Sequence, residues 1–239
     1  HRPSQGPSER PSINQVRETV SQVKELTKPM LRGYSHAVMA PVAVVLTAYL
    51  AWVSAGDLPR QLSLLVYGCA LVLLFTVSAT YHIGNWPARA REVLRRFDHS
   101  NIFLVIAGTY TPITIVLLDG WWRIGILTTV WVLALTGIVV TVSGVAMRRG
   151  LMTALYIMVG WVAIAAIPKI LASVGLTGGS FILAAGILYS IGAVCYALKW
   201  PPLWRRVFSY HEVFHLLVIG ASVLFFVFML GYVIPLPRV

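Results

Sequence analysis

Seven long apolar runs, separated by short polar connections, dominate this chain of 239 residues. Each run has about 20 residues, the length that an α-helix needs to cross the hydrocarbon core of a bilayer. Because backbone groups in lipid must pair within the chain, such runs predict helices. The fold class is therefore an all-α integral membrane protein, a seven-transmembrane helix bundle. We place the spans at about 34–54, 61–82, 99–118, 122–142, 152–172, 180–198 and 211–233.

Composition excludes a soluble globular domain. Only 11% of the residues are charged and 58% are hydrophobic, whereas a soluble domain has about 25% charged residues. The apolar runs begin after a polar segment rich in Ser, Pro, Gln and charge. We therefore divide the chain into residues 1–27, partly disordered or amphipathic, and residues 28–239, the transmembrane domain.

Basic residues predict the orientation, because cytoplasmic loops of membrane proteins carry an excess of Lys and Arg. The predicted spans place most of these residues on the side of the N-terminus, which is therefore cytoplasmic, and the C-terminus lies outside. The net charge of +11 is then a topology signal and a contact for anionic lipid. We expect a multi-pass protein of a bacterial-type plasma membrane, with membrane lipids and not nucleic acid as its partners. The cytoplasmic set is Arg2, Arg10, Arg17, Lys24, Lys28, Arg32, Arg89, Arg91, Arg95, Arg96, Arg148, Arg149, Lys199, Arg205 and Arg206.

Histidines gather in the cytoplasmic half of the predicted spans. His211 and His215 are four residues apart, so on a helix they share one face and can hold one metal ion. His82, at the cytoplasmic end of the second span, completes three imidazoles, the ligand set of an open catalytic zinc site. Asp98 is a fourth ligand or the group that deprotonates the metal-bound water. Ser78, one turn deeper than His82, could hydrogen-bond that water or a substrate carbonyl.

Several of these residues have simpler interpretations. His36 and His99 are interpreted as interfacial side chains at helix ends. Asp98 follows Arg95 and Arg96 closely enough to form an interfacial salt bridge, or to cap a helix. Ser78 could serve only helix packing.

The stretch "HEVFH" (His211 to His215) also spells H-E-x-x-H, the motif of zinc proteases in which the glutamate is the general base. Intramembrane proteases of this kind take a third ligand from an aspartate in a later L-D-G-like stretch. Here Leu118-Asp119-Gly120 precedes the histidine pair, and the predicted topology puts Asp119 on the outer side, roughly 30 Å away. Glu212 points about 100° away from His211 and is expected to face the headgroups. A protease is therefore disfavoured, and we assign Glu212 no catalytic role.

Four stretches together resemble the hemolysin III branch of the progestin and adiponectin receptor superfamily. They are "KPMLRGYSH" (Lys28 to His36), "SATYH" (Ser78 to His82), "RFDHSNIFLVIAGTYTP" (Arg96 to Pro112) and "HEVFH". The resemblance implies seven helices and a zinc ion in the cytoplasmic half, held by His82, His211 and His215. It also implies that Asp98 contacts the zinc-bound water and that Ser78 lies nearby. The wider superfamily, with the alkaline ceramidases, is held to comprise membrane hydrolases of lipid amides.

Two functions remain open from the sequence. The first is a zinc-dependent, ceramidase-like hydrolase whose lipid amide substrate enters sideways from the cytoplasmic leaflet. The second is a non-enzymatic hemolysin, channel or membrane-homeostasis sensor with a structural zinc. A four-ligand closed site would favour the second, because no position would remain for water. Other divalent metals also bind His and Asp ligands.

Overall fold

The computed structural model describes Ser12, residues 31–204 and residues 207–238, and among these it is helical without any strand. The predicted N-terminal segment, Ser12 apart, lies outside the described residues. The helices are α1 (Tyr34–Val53), α2 (Leu58–Ile83), α3 (Ala88–Leu117), α4 (Gly120–Val142), α5 (Arg149–Gly160), α6 (Ile167–Leu198) and α7 (Tyr210–Phe228). A 3-10 helix (Val162–Ala166) joins α5 to α6, and a π-helical stretch (Met229–Val233) extends α7.

Six helical stretches among the described residues are long and apolar enough to cross a membrane, which confirms a helical membrane protein. They are Tyr34–Val53, Leu58–Ile83, Ala88–Leu117, Gly120–Val142, Arg149–Leu198 and Tyr210–Val233. The fifth has 50 residues, so it would measure about 75 Å if it were one straight helix. That is more than twice the thickness of the hydrocarbon core, about 30 Å.

Contacts within this 50-residue stretch show that it folds back on itself. The indole Nε1 of Trp161 donates to the hydroxyl of Ser190 at 2.9 Å, and Arg149 Nη1 donates to the carbonyl of Tyr196 at 3.3 Å. Between these pairs, Gly175 has φ 65° and ψ −177°, which departs from the helix on both sides. A positive φ is accessible to glycine because it has no Cβ. The sequence "VGLTGG", predicted as a connection between spans, is thus helical except at this glycine.

Helix α3 begins at Ala88, eleven residues before the predicted start of its span. Its 30 residues measure about 45 Å, so the charged first turns extend beyond the hydrocarbon core. Glu92 receives hydrogen bonds from Arg95 and Arg96 at 2.7–2.9 Å on these turns. The charges marked the edge of the apolar run correctly, but they did not mark the end of the helix.

Consecutive helices pack side by side from α1 to α4, α6 packs along α7, and α1 touches α7. Helix α3 is the most buried of the candidate spans. This arrangement brings the end of α2, the beginning of α7 and the beginning of α1 together. We call the region of residues 31–36, 78–82, 98–99 and 209–215 the histidine end, and the region of residues 54–60, 117–120, 169–175 and 234–238 the opposite end.

Candidate metal centre

Three imidazoles meet at the histidine end. His82 closes α2 and is buried, while His211 and His215 lie on the first two turns of α7. The Nε2 atoms of His82 and His211 are 3.0 Å apart. One donor atom from each of the three histidines lies within 4.8 Å of the others. The structure therefore brings together the three ligands that the sequence predicted.

The donor set fits a zinc ion. Zinc in proteins is four-coordinate and tetrahedral, with Zn–N distances of about 2.0–2.1 Å, so two ligand nitrogens lie roughly 3.3 Å apart. The shortest separation in the triad is close to this value. Three neutral imidazoles also form an established ligand set for a zinc ion that keeps its fourth position open. These residues could hold a metal ion of this kind.

Asp98 and Ser78 lie beside the triad. The Oδ2 atom of Asp98 is 3.7 Å from His82 Nε2, and Ser78 lies beside the Asp98 carboxyl. Asp98 lies ten residues into α3, so it does not cap the helix. Glu92, and not Asp98, pairs with Arg95 and Arg96. The simpler interpretations of Asp98 are thus wrong, and Ser78 contacts the carboxyl of Asp98.

His36 was interpreted as interfacial, and this was wrong. The side chain is buried with 2% of its surface exposed. Its ring stacks on that of His215 at a centroid distance of 3.9 Å and meets Phe75 edge-on at 5.0 Å. Neither ring nitrogen makes a hydrogen bond of normal geometry among the described residues. Its depth at the start of the first span, shared with the ligand histidines, was the signal that could have identified it.

His99 also belongs to the site and not to the membrane interface. Its Nε2 atom is 3.1 Å from the hydroxyl of Tyr196, and the hydroxyl of Tyr156 donates to the His99 carbonyl at 3.1 Å. The guanidinium of Arg149 lies 4.7 Å from the ring centre of Tyr196. No sequence motif indicates these contacts, because they join α3 to α5 and α6.

Glu212, the glutamate of "HEVFH", does not face the headgroups as predicted but is buried. Its carboxylate accepts from Arg32 Nε at 3.1 Å and from the backbone N–H of Ser209 at 2.6 Å. Asp119 pairs with Lys169 at 3.5 Å at the opposite end of the bundle. Neither acidic residue of the protease pattern is therefore positioned for that role.

A cavity of about 130 Å³ extends from the triad into the bundle between α3, α5, α6 and α7. Its polar end is lined by His36, Ser78, Asp98, His99, His211 and His215, and most of the remaining wall is apolar. Trp161, Val218 and Phe225 line it farther along the helices. Gly160 also lines the cavity and is exposed. The arrangement combines a group of residues that could bind a metal ion with an apolar compartment.

The amino-acid sequence of this chain is similar to those of known proteins. The sequence model of the family described as Haemolysin-III related matches residues 24–226. "Hemolysin-3" of Bacillus cereus is 31% identical over 212 residues, which cover 89% of this chain and 93% of that protein. "Hemolysin-3 homolog" of Bacillus subtilis (strain 168) is 31% identical over 215 residues, 90% of this chain and 96% of the relative.

Proposed function

Because this chain belongs to the Haemolysin-III related family and is a multi-pass protein of the plasma membrane, we propose that it is a zinc-dependent hydrolase of a lipid amide. One observation carries the proposal. Three imidazoles and a carboxyl group lie at the polar end of an otherwise apolar cavity within a membrane-embedded bundle. Such a cavity suits a substrate with one polar reacting group and a long apolar chain.

The proposed topology has seven passages through the bilayer. The 50-residue stretch supplies two of them, one on each side of Gly175, because its two halves run antiparallel and contact each other. The histidine end is proposed to be cytoplasmic, since most Lys and Arg residues in the described part of the chain lie toward it. Exposed tryptophans at both ends fit the aromatic belts of a membrane protein; they are Trp52, Trp121, Trp200 and Trp204.

His82, His211 and His215 would hold the ion. When bound, zinc would supply Lewis-acid activation of water and of the amide carbonyl. The Asp98 carboxylate is placed to accept a proton from a water molecule as its oxygen attacks the amide carbon. Asp98 would return this proton to the nitrogen as the C–N bond breaks, which releases a fatty acid and an amine. Ser78 lies beside the carboxylate and would orient it.

The substrate is proposed to enter sideways from the cytoplasmic leaflet. We propose that it enters near Gly160, a cavity-lining residue that is exposed and has no side chain to block the way. Farther along, Trp161 and Phe225 offer apolar surface to an acyl chain.

A non-enzymatic hemolysin, channel or membrane-homeostasis sensor with a structural zinc is the second candidate. The contact of 3.7 Å between Asp98 and His82 favours it, because a carboxylate so close to the triad could supply a fourth ligand and close the site. The names of the two relatives agree with a cytolytic role.

The test compares zinc content and amide hydrolysis in the same detergent-purified samples. We expect about one zinc per chain in the parent protein, measured by elemental mass spectrometry, and its loss in the His211→Ala/His215→Ala variant. The parent should release fatty acid from ceramide or another N-acyl lipid, and Asp98→Asn should retain zinc but lose this turnover. Equal turnover by the parent and by Asp98→Asn would contradict the mechanism. A zinc-loaded parent that hydrolyses no N-acyl lipid would favour the structural-zinc alternative.

A further inference from the structure

The turn of residues 31–33, which we call the latch turn, lies directly against the end of α2. Gly33 is buried, and a Cβ atom at its position would lie 2.7 Å from the Cβ of His82. Its φ of 87° is in the left-handed region, which glycine adopts without strain. The latch turn can therefore approach His82 this closely only because residue 33 has no side chain.

Arg32 connects the latch turn to the beginning of α7 through hydrogen bonds. Its Nε donates to Glu212 Oε1 at 3.1 Å and its Nη2 donates to the hydroxyl of Ser209 at 3.2 Å. The Arg32 side chain is 23% exposed and that of Glu212 is 4% exposed, so the pair is largely shielded from water. A backbone hydrogen bond of 3.3 Å from Leu31 N to the Val207 carbonyl adds a third connection.

The same carboxylate also organises the first turn of α7. Glu212 Oε2 accepts from the backbone N–H and from the hydroxyl of Ser209. The first of these bonds, with the backbone N–H of the first turn that donates to the Ser209 side chain, forms a capping box. His211 lies on this turn, next to Glu212. One buried carboxylate thus connects the turn that carries a ligand histidine with the latch turn, which contacts a second ligand histidine on α2.

We propose that the latch turn holds His82 in position beside His211 and His215. Arg32 and Glu212 are positioning residues that keep the latch turn in contact with the metal centre. The inference rests on the metal site of the proposed function. Removing Arg32 would leave the buried Glu212 carboxylate without a compensating charge, which is destabilising. Loss of the pair frees the latch turn, loosens the contact with His82 and lets the metal exchange with the cytoplasm. In this role the glutamate of "HEVFH" holds the site together instead of acting as a base.

The experiment measures how fast zinc leaves the purified, zinc-loaded protein after excess chelator is added. In Arg32→Gln and Glu212→Gln we expect release about 10- to 100-fold faster, the usual size of the effect when a group that supports a metal ligand is removed. Glu92→Gln is the matched control, since it breaks a carboxylate–arginine cluster beside the histidine end without touching the latch turn. Its release rate should stay within about twofold of the parent. The exchange Arg32→Glu/Glu212→Arg should restore part of the loss, which a general loss of stability would not explain.

A disulfide tests the latch turn without removing any charge. The Leu31→Cys/Val207→Cys variant, in a Cys69→Ala/Cys195→Ala background, places a cysteine on each of two residues whose backbones already share a hydrogen bond. We expect the oxidised protein to release zinc several-fold more slowly than the reduced form. Failure of the bond to form, or unchanged release in both Arg32→Gln and the oxidised protein, would overturn the latch. A parent that binds no zinc would instead overturn the proposed function, and with it the role of the latch in holding a metal.

Discussion

At the opposite end of the bundle, charged side chains bind one another and residues 234–238, whereas at the histidine end ring nitrogens of His36 and His215 have no hydrogen-bond partner among the described residues. Arg60 donates from both terminal nitrogens to the carbonyls of Ile234 and Leu236, at 2.6 and 2.5 Å. Asp57 pairs with Arg60 at 3.5 Å and with Arg238 at 3.1 Å. These contacts close the end of the last helix, where backbone carbonyls would otherwise lack donors.

The histidine end differs in what it leaves unsatisfied. Among the described residues, four buried side-chain atoms have no hydrogen-bond partner, and three of them belong to His36 and His215. The fourth is Nε of Arg60, whose guanidinium remains ion-paired. Burying an unpaired polar group costs about 1–3 kcal/mol, so a fold selected only for stability would not keep several in one place. The difference agrees with the proposal that one end stabilises the bundle and that the other binds a metal ion.

Cysteine labelling in intact cells tests whether the histidine end is cytoplasmic and the opposite end is outside. We expect each introduced cysteine to be either labelled or not labelled. In a background without Cys69 and Cys195, Ala55→Cys should react with a membrane-impermeant thiol reagent, and Ala88→Cys should react only after the cells are opened. Both positions are exposed, in the turn before α2 and at the start of α3. Labelling of Ala88→Cys alone in intact cells would invert the topology.

Removal of one imidazole should abolish metal binding. We expect His82→Ala to weaken zinc binding more than about 100-fold, because it removes one of three protein ligands and not merely a supporting group. Competition with a chromophoric chelator measures the change. His99→Ala is the comparison, since this histidine lines the same cavity but bonds Tyr196. It should keep nearly full zinc content, and equal losses in both variants would contradict the ligand assignment.

At the opposite end, the expected loss is in stability and not in metal binding. Arg60→Met removes two hydrogen bonds to helix-end carbonyls, so we expect the free energy of unfolding to fall by about 1–3 kcal/mol, with zinc content unchanged. Denaturant unfolding in detergent, followed by metal analysis of the folded protein, measures both. Lys169→Ala, which breaks an exposed pair with Asp119, should cost less than about 0.5 kcal/mol. A loss of zinc in Arg60→Met would remove the distinction between the two ends.

No loss of stability is expected for His36→Phe. The substitution keeps an aromatic ring against His215 and removes two unpartnered nitrogens, so unfolding should be unaffected or up to about 1 kcal/mol less favourable. Lipid amide turnover should fall, because the ring of His36 lines the cavity beside the triad. A large loss of stability without loss of turnover would make His36 a structural residue like Arg60.

Much of the fold was predictable because lipid imposes a single requirement on the backbone. Runs such as 34–54 and 122–142 correspond to helices within two residues at each end. The structure differs from the predicted spans in two places, where the length of the apolar run and the positions of the charges do not show how far a helix extends. Helix α3 continues beyond the apolar run into charged residues, because charge does not prevent a helix in water. The stretch 149–198 reverses direction at Gly175, and the residues on both sides of this glycine are helical.

The residues of the candidate site were likewise predicted only in part from the sequence. The spacing of four residues predicted the pair His211 and His215, and their shared depth in the membrane added His82 and Asp98. In the structure His82 lies close to both histidines, and Asp98 lies close to His82. Depth could not show whether a residue faces lipid or the interior, because that depends on the rotation of each helix. For this reason His36 and His99 were assigned to the interface, and Glu212 to the headgroups.

The amino-acid sequence by itself determined the class of the molecule, the positions of most helices and the types of side chain available for a metal, because these depend on local hydrophobicity and helical periodicity. Only the tertiary structure decided which histidines meet, that Asp98 faces His82, and that Arg32 reaches Glu212 across 180 residues of chain. Such contacts follow from how helices rotate and pack against their neighbours. That packing is set by many weak contacts spread over the whole bundle and not by any short stretch of sequence.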